Sequence, residues 1–284
     1  MRSPGLAWLA APVTLLLACL PHAAHAAASC SFSPSSGGEP ALQDVFNDMF
    51  GASAAPNTTT SCLADPSDAL WHTVSSVGSA TILVEIAGNA NGNAFGIYDS
   101  TSVLNSLQIF SGPAGASGTA LITVSGQPGQ YTVDIQSISG TTATHAHGTF
   151  ASSSFGFYLQ QPDSGVRLYS ESARNPARNG DPTATDYMYS YTGNGATFLN
   201  GSQYAPDSVK GSLFDSSDAV IAWEDLTAGS DGDYQDMVVL LRDIVPSASP
   251  VPLPAAAWLL GSALLGCGAL GRRLNLRSAA PAAA

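Results

Sequence analysis

The chain has 284 residues, 45% of them hydrophobic and 11% charged, and its formal net charge at pH 7 is −12. All 21 acidic residues lie between Glu39 and Asp243, whereas Arg2, Arg272, Arg273 and Arg277 sit near the two ends, so the region between keeps five of the nine basic residues. That balance makes nucleic acid and anionic lipid poor partners, because contact with phosphates needs clustered Lys and Arg; few charges among many Ser, Thr, Gly and Asn suit a β-rich extracellular protein more than a cytosolic enzyme.

Arg2 precedes an apolar run at 6–20, which Pro21 and a small-residue stretch follow. This is the layout of a secretory signal, and Ala24-His25-Ala26 meets the small-x-small rule, so signal peptidase is expected to remove residues 1–26. The run is short for a membrane span, and a lipid anchor at Cys19 is the weaker reading because Leu17 is bulky and a better site lies downstream. With Cys267 in the C-terminal apolar segment, the exported part keeps Cys30 and Cys62. Two thiols in an oxidising compartment most simply pair, which would stabilise the fold by about 3–4 kcal/mol. A catalytic thiol is the competing reading, and no histidine stands in a motif relation to either cysteine.

Leu42, Val45, Phe46, Met49 and Phe50 recur at three- and four-residue spacing, predicting one short amphipathic helix over 41–50 that ends at Gly51. From Trp71 the rhythm changes to short runs of β-formers bounded by Gly, Asn, Asp and Ser. Strands are predicted at 81–86, 94–98, 107–110, 120–124, 131–138, 155–159, 166–169, 187–191, 219–223 and 237–244. The fold class that follows is all-β: an antiparallel, jelly-roll-like β-sandwich ectodomain over 27–246 with one short N-terminal helix. Residues 247–250 read as a linker.

Glu224 and Asp225 end one predicted strand, and Asp231, Asp233 and Asp236 crowd the connection to the next. These carboxylates repel one another unless neutralised, and hard oxygens on a loop suit Ca²⁺, which makes the five a candidate Ca²⁺ site. The spacing is not that of an EF-hand. The competing reading is that the aspartates cap turns, Asp231-Gly232 being an ordinary turn pair. His145 and His147 would share one face if their segment were a strand, a spacing that can hold Zn²⁺; with no third ligand evident beside them, they read as a surface pair. Trp71, Trp223 and the tyrosines at 187–191 could form a sugar-stacking face, although alternating aromatics on strands are usually core. Paired carboxylates could serve a glycoside hydrolase, but spacing alone does not show it. The chain lacks His-Glu-x-x-His, Gly-x-Ser-x-Gly and a phosphate loop.

At the C-terminal end, Val251-Pro252-Leu253-Pro254 leads into an apolar segment at 255–270, and Arg272, Arg273 and Arg277 follow. Those residues would make a transmembrane helix of roughly 24 Å, with the arginines on the cytoplasmic side. Motif, helix and basic stop together resemble the VPLPA variant of the PEP-CTERM sorting tail, over 251–277, with 278–284 as a disordered end. The resemblance implies processing by exosortase, a membrane transpeptidase, and a tail that is a transient anchor absent from the mature protein, comparable in that respect to a GPI signal. A permanent single-span anchor is the alternative that hydropathy leaves open.

A second resemblance covers most of 71–245. Phe95-Gly96-Ile97-Tyr98-Asp99, Phe155-Gly156-Phe157-Tyr158-Leu159, Trp223-Glu224-Asp225-Leu226 and Asp231-Gly232-Asp233-Tyr234-Gln235-Asp236 resemble a recurrent uncharacterised domain of bacterial surface proteins, often coupled to PEP-CTERM tails. Relatives tend to carry Asp-His-Met where this chain has Asp186-Tyr187-Met188. The expectation is therefore a non-enzymatic cell-surface or exopolysaccharide-matrix component. The alternatives are a carbohydrate-binding module that holds the protein in exopolysaccharide and, more distantly, a hydrolase of that polymer.

Overall fold

The computed structural model describes residues 30–33, 39–85, 92–112, 117–162, 164–200, 204 and 206–247. The signal segment and the sorting tail, including Val251, Pro252, Leu253, Pro254, Arg272 and Arg273, lie outside the described residues. Among the described residues no helix is long and apolar enough to cross a membrane, and the expected membrane helix falls beyond them.

The all-β expectation holds. Among the described residues one α-helix, α1 (Leu42–Phe50), precedes fifteen strands: β1 (Trp71–Thr73), β2 (Val77–Glu85), β3 (Ala94–Asp99), β4 (Ser102–Phe110), β5 (Thr119–Gln127), β6 (Gln130–Ser139), β7 (Thr142–Phe150), β8 (Phe155–Gln160), β9 (Arg167–Tyr169), β10 (Met188–Thr192), β11 (Thr197–Phe198), β12 (Leu213–Phe214), β13 (Ala219–Trp223), β14 (Met237–Arg242) and β15 (Ile244–Pro246). They form one antiparallel sheet in the order β15-β1-β8-β3-β4, with β9 also on β8, a second in the order β10-β13-β14-β2-β5-β6-β7, and a small β11-β12 ribbon.

A first hydrophobic cluster draws Trp71, Phe95, Phe155, Phe157 and Ile244 from one sheet and Ile82, Ile122, Ile135, Ile221, Trp223 and Val239 from the other, so the two sheets pack face to face. A second cluster lies on the far side of the seven-stranded sheet, where α1 lays Val45, Phe46, Met49 and Phe50 against Tyr191, Val220, Val238 and Leu240. The strands β13 and β14 are thus covered on both faces, which is why they read as unbroken apolar runs. Burial of each such side chain contributes about 1.5–3 kcal/mol. Along β6 one face is wet, and Val133 and Ile135 alternate with exposed or half-exposed Asp134 and Gln136.

Two predicted features are corrected by pairing. The run at 237–244 breaks at Asp243, whose φ of 55° turns the chain from β14 in one sheet to β15 in the other. Strand β7, absent from the predicted set, is poor in bulky β-formers and largely exposed; its nine-residue register with β6 makes it a strand. The two Phe-Gly-x-Tyr segments are neighbours, with Tyr98 opposite Gly156 and Gly96 opposite Tyr158. A Cβ on either glycine would run into the facing tyrosine ring, so each glycine is a seat for an aromatic from the next strand.

Candidate cation centre

The loop from β13 to β14 begins with backbone ties. Glu224 N–H donates to the Tyr187 carbonyl at 3.0 Å, and Asp225 N–H donates to Asp236 Oδ2 at 2.9 Å. Glu224 accepts from both sides of the loop, Oε1 from Leu226 N–H at 3.1 Å and Oε2 from Gly232 N–H at 2.9 Å. Near its far end Tyr234 adopts a φ of 61°, sparsely populated for a bulky residue. Its ring is held by stacking on Tyr189 at 4.3 Å, by an edge contact from Phe32 at 5.4 Å and by the Arg178 guanidinium 5.1 Å from its centroid. The reversal at Tyr234 lets Gln235 Nε2 reach back to donate to Asp233 Oδ2 at 2.6 Å.

Two carboxylate groups result. Ligand atoms of Glu224, Asp233 and Asp236 lie within 4.8 Å of one another, as do those of Glu39, Asp231 and Asp233. Two oxygens on opposite sides of one Ca²⁺ are about 4.8 Å apart, so either group can surround one such ion. Glu224 is 0% exposed, Asp233 2% and Asp236 8%. Burial, reinforced by neighbouring carboxylates, pushes the Asp236 carboxyl up to about 9 and Glu224 up to about 7, and burial raises Asp233 as well. A cluster this dry holds protons or a cation; bare charges would be too costly.

Four of the five predicted residues therefore join a group. Asp225 belongs to neither; it lies alongside, raising Asp236 by its charge and accepting from Asn93 Nδ2 at 2.7 Å through Oδ2. The turn-capping reading also has substance, since Glu224 and Asp236 accept backbone N–H groups. Each carboxylate oxygen has two lone pairs, so those bonds leave acceptor capacity. Sequence reasoning missed Glu39, whose Oε2 accepts from Gln235 Nε2 at 3.0 Å, and Gln235 itself. Gln235 Oε1 and Asn93 Oδ1 are buried without a hydrogen-bond partner, which places neutral oxygens beside the carboxylates, of the kind Ca²⁺ accepts. A polar residue between two aspartates was a usable signal for Gln235; nothing near Glu39 marked it, because it arrives from another part of the chain.

The N-terminal segment covers this loop. Cys30 and Cys62 are disulfide-bonded, Phe32 packs on Tyr189 and Tyr234, and Ser33 N–H donates to the Gly232 carbonyl at 2.9 Å.

Fold and site together define a β-sandwich whose β13–β14 loop carries a buried carboxylate group, Glu224, Asp233 and Asp236, against which a disulfide-tethered segment packs. Residues 150–242, about a third of the chain, match the family model described as a domain of unknown function, DUF4114; the span includes β8 to β14 and the acidic loop but neither Glu39 nor the cysteines. No curated protein and no solved structure matches the chain.

Proposed function

We propose that this chain is an exported, non-enzymatic component of a bacterial cell surface or exopolysaccharide matrix, a jelly-roll-like sandwich stabilised by Ca²⁺ at Glu224, Asp233 and Asp236, with Gln235 and the Glu39–Asp231 pair beside them. Signal peptidase would release residues 1–26, and an exosortase-type transpeptidase would process the tail at Val251-Pro252-Leu253-Pro254 after its helix and Arg272-Arg273 have held it transiently in the cytoplasmic membrane. The observation that carries the reading is the burial of the acidic centre. A hydrolase must admit polymer to its carboxylates, whereas Glu224, Asp233 and Asp236 are closed from solvent and suit a structural ion. The Cys30–Cys62 bond supports an oxidising location.

The polysaccharide-binding alternative loses the face it would stack on: Trp71, Trp223, Tyr187 and Tyr191 are 0% exposed and Tyr189 6%. The test of sorting is the intact mass of the protein recovered from its host's surface or medium. A mass lacking residues 1–26 and the segment after the proline motif is expected, and any addition identifies the attachment. Retention of the C-terminal helix with its arginines would overturn sorting by cleavage.

A further inference from the structure

The two carboxylate groups at the β13–β14 loop share Asp233 and differ in burial. Glu224, Asp233 and Asp236 are buried, whereas Glu39 and Asp231 are only half-buried, so the second group reaches solvent. Gln235 lies across that second group. Its Nε2 donates to Asp233 Oδ2 at 2.6 Å and to Glu39 Oε2 at 3.0 Å, while Oε1 of the same amide, on a side chain 0% exposed, has no hydrogen-bond partner. A buried carbonyl oxygen left unpaired is costly. A half-turn of the amide exchanges the two atoms and sets Oε1 beside both carboxylates, an arrangement of three oxygens that only a cation holds together. Adjacent oxygens on one Ca²⁺ stand about 2.8–3.4 Å apart, close to the spacing that the amide already keeps from Asp233 and Glu39.

We propose that the loop takes two Ca²⁺ ions bridged by Asp233, an inner one at Glu224, Asp233 and Asp236 and an outer one at Glu39, Asp231, Asp233 and the Gln235 amide oxygen. The outer ion rests on the reading of the inner group as a Ca²⁺ site and adds a second, separately removable ion to it. Charge favours two. Asp225 stands beside the inner group, donating its N–H to Asp236 Oδ2 at 2.9 Å, so six carboxylates gather here, with the Arg178 guanidinium against Tyr234 as their basic neighbour. One divalent ion with Arg178 offsets only half of that charge, and a second leaves a single negative charge over, which a partly dry loop tolerates far better. A carboxylate can give one oxygen to each of two ions, and protein sites of this kind hold their metals about 3.5–4 Å apart. The outer ion also joins distant parts of the chain. Glu39 stands just before α1, so Ca²⁺ fastens the segment leading into that helix to the loop, alongside the Ser33 bond to Gly232. Because its group reaches solvent, the outer ion exchanges first and binds more weakly.

The experiment is equilibrium dialysis of the full chain in detergent against radioactive Ca²⁺ at pH 7.5. Two bound Ca²⁺ per chain are expected, in a tighter and a looser step. Glu39→Gln and Asp231→Asn should each weaken the looser step at least about tenfold and leave the tighter one in place, whereas Asp236→Asn should weaken the tighter. Glu39 and Asp231 are half-buried, and circular dichroism verifies that each variant folds. One Ca²⁺ per chain, unchanged in Glu39→Gln and in Asp231→Asn, would overturn the outer ion and leave the inner site standing. A single Ca²⁺ lost in both Glu39→Gln and Asp236→Asn would mean that one ion spans the two groups and would overturn the bridged pair. No bound Ca²⁺ would overturn the inner site and the outer one together.

Discussion

Asp233 belongs to both carboxylate groups, so its replacement separates the cation reading from turn-capping. Glu224 and Asp236 receive loop N–H groups at about 3 Å, whereas Asp233 bonds chiefly the side-chain amide of Gln235 at 2.6 Å and takes the Gln235 N–H only at 3.5 Å. Asp233→Asn is therefore expected to leave the chelator-treated protein folded while removing most of the rise in Tm that Ca²⁺ produces in the parent. An equal Ca²⁺-induced rise in both proteins, followed by calorimetry, would leave turn-capping as the account. A second test concerns Asp186, which is not one of those ligands and whose carboxyl burial pushes up to about 7, with Asp65 adding repulsion. Its folded value lies above the ordinary carboxylate range, so between roughly pH 4 and pH 7 the native state binds the proton more strongly than the unfolded chain does. Its stabilising contribution is thus full below that window and lost as pH rises through it, at up to about 1.4 kcal/mol per pH unit. Denaturant midpoints in chelator should fall less steeply from pH 5 to pH 7 in Asp186→Asn than in the parent. An unchanged slope would show that other groups dominate.

At the level of elements, the disulfide and the loop are mechanically linked. The Cys30–Cys62 bond closes a separation of 32 residues, and the segment it tethers donates to Gly232 within the acidic loop. The Cys30→Ser/Cys62→Ser pair should lose about 3–4 kcal/mol of stability on denaturant titration and also bind Ca²⁺ more weakly. Loss of stability with unchanged Ca²⁺ affinity would mean that the segment does not brace the site. In β13, Ile221→Ala should cost about 2–5 kcal/mol, as for other buried large-to-small changes, because both faces of that strand are covered. The helix at 41–50 and the run at 219–223 were legible because each apolar pattern has one period and one environment. Strand β7 was not: its threonines favour strands, but Ala and Gly between them do not and no apolar alternation marks the segment, so its state depends on the register of β6. Histidines at 145 and 147 were visible as a pair, but Asp134, which both approach, stands eleven residues upstream of His145 on a different strand.

For the whole molecule, the proposal separates three kinds of behaviour. A structural matrix component should neither retain purified host exopolysaccharide on co-sedimentation nor release reducing ends from it. Retention would restore the binding-module alternative, by a surface other than the buried tryptophans, and release would restore the hydrolase.

The sequence by itself determined the strand-rich class, the short helix, the pairing of Cys30 with Cys62 and the location of most of the acidic loop. These are properties of local period, composition and counting, and they survive without knowledge of neighbours. Tertiary structure alone decided that Glu39 and Gln235 join Asp233, that Asp225 stands apart beside Asn93, and that Asp134 faces the histidine pair. It also decided that the tryptophans are core. Each depends on which strands lie side by side and on which face is covered, and those are set by long-range pairing and by the packing of two sheets and a helix, information that no single stretch of chain contains.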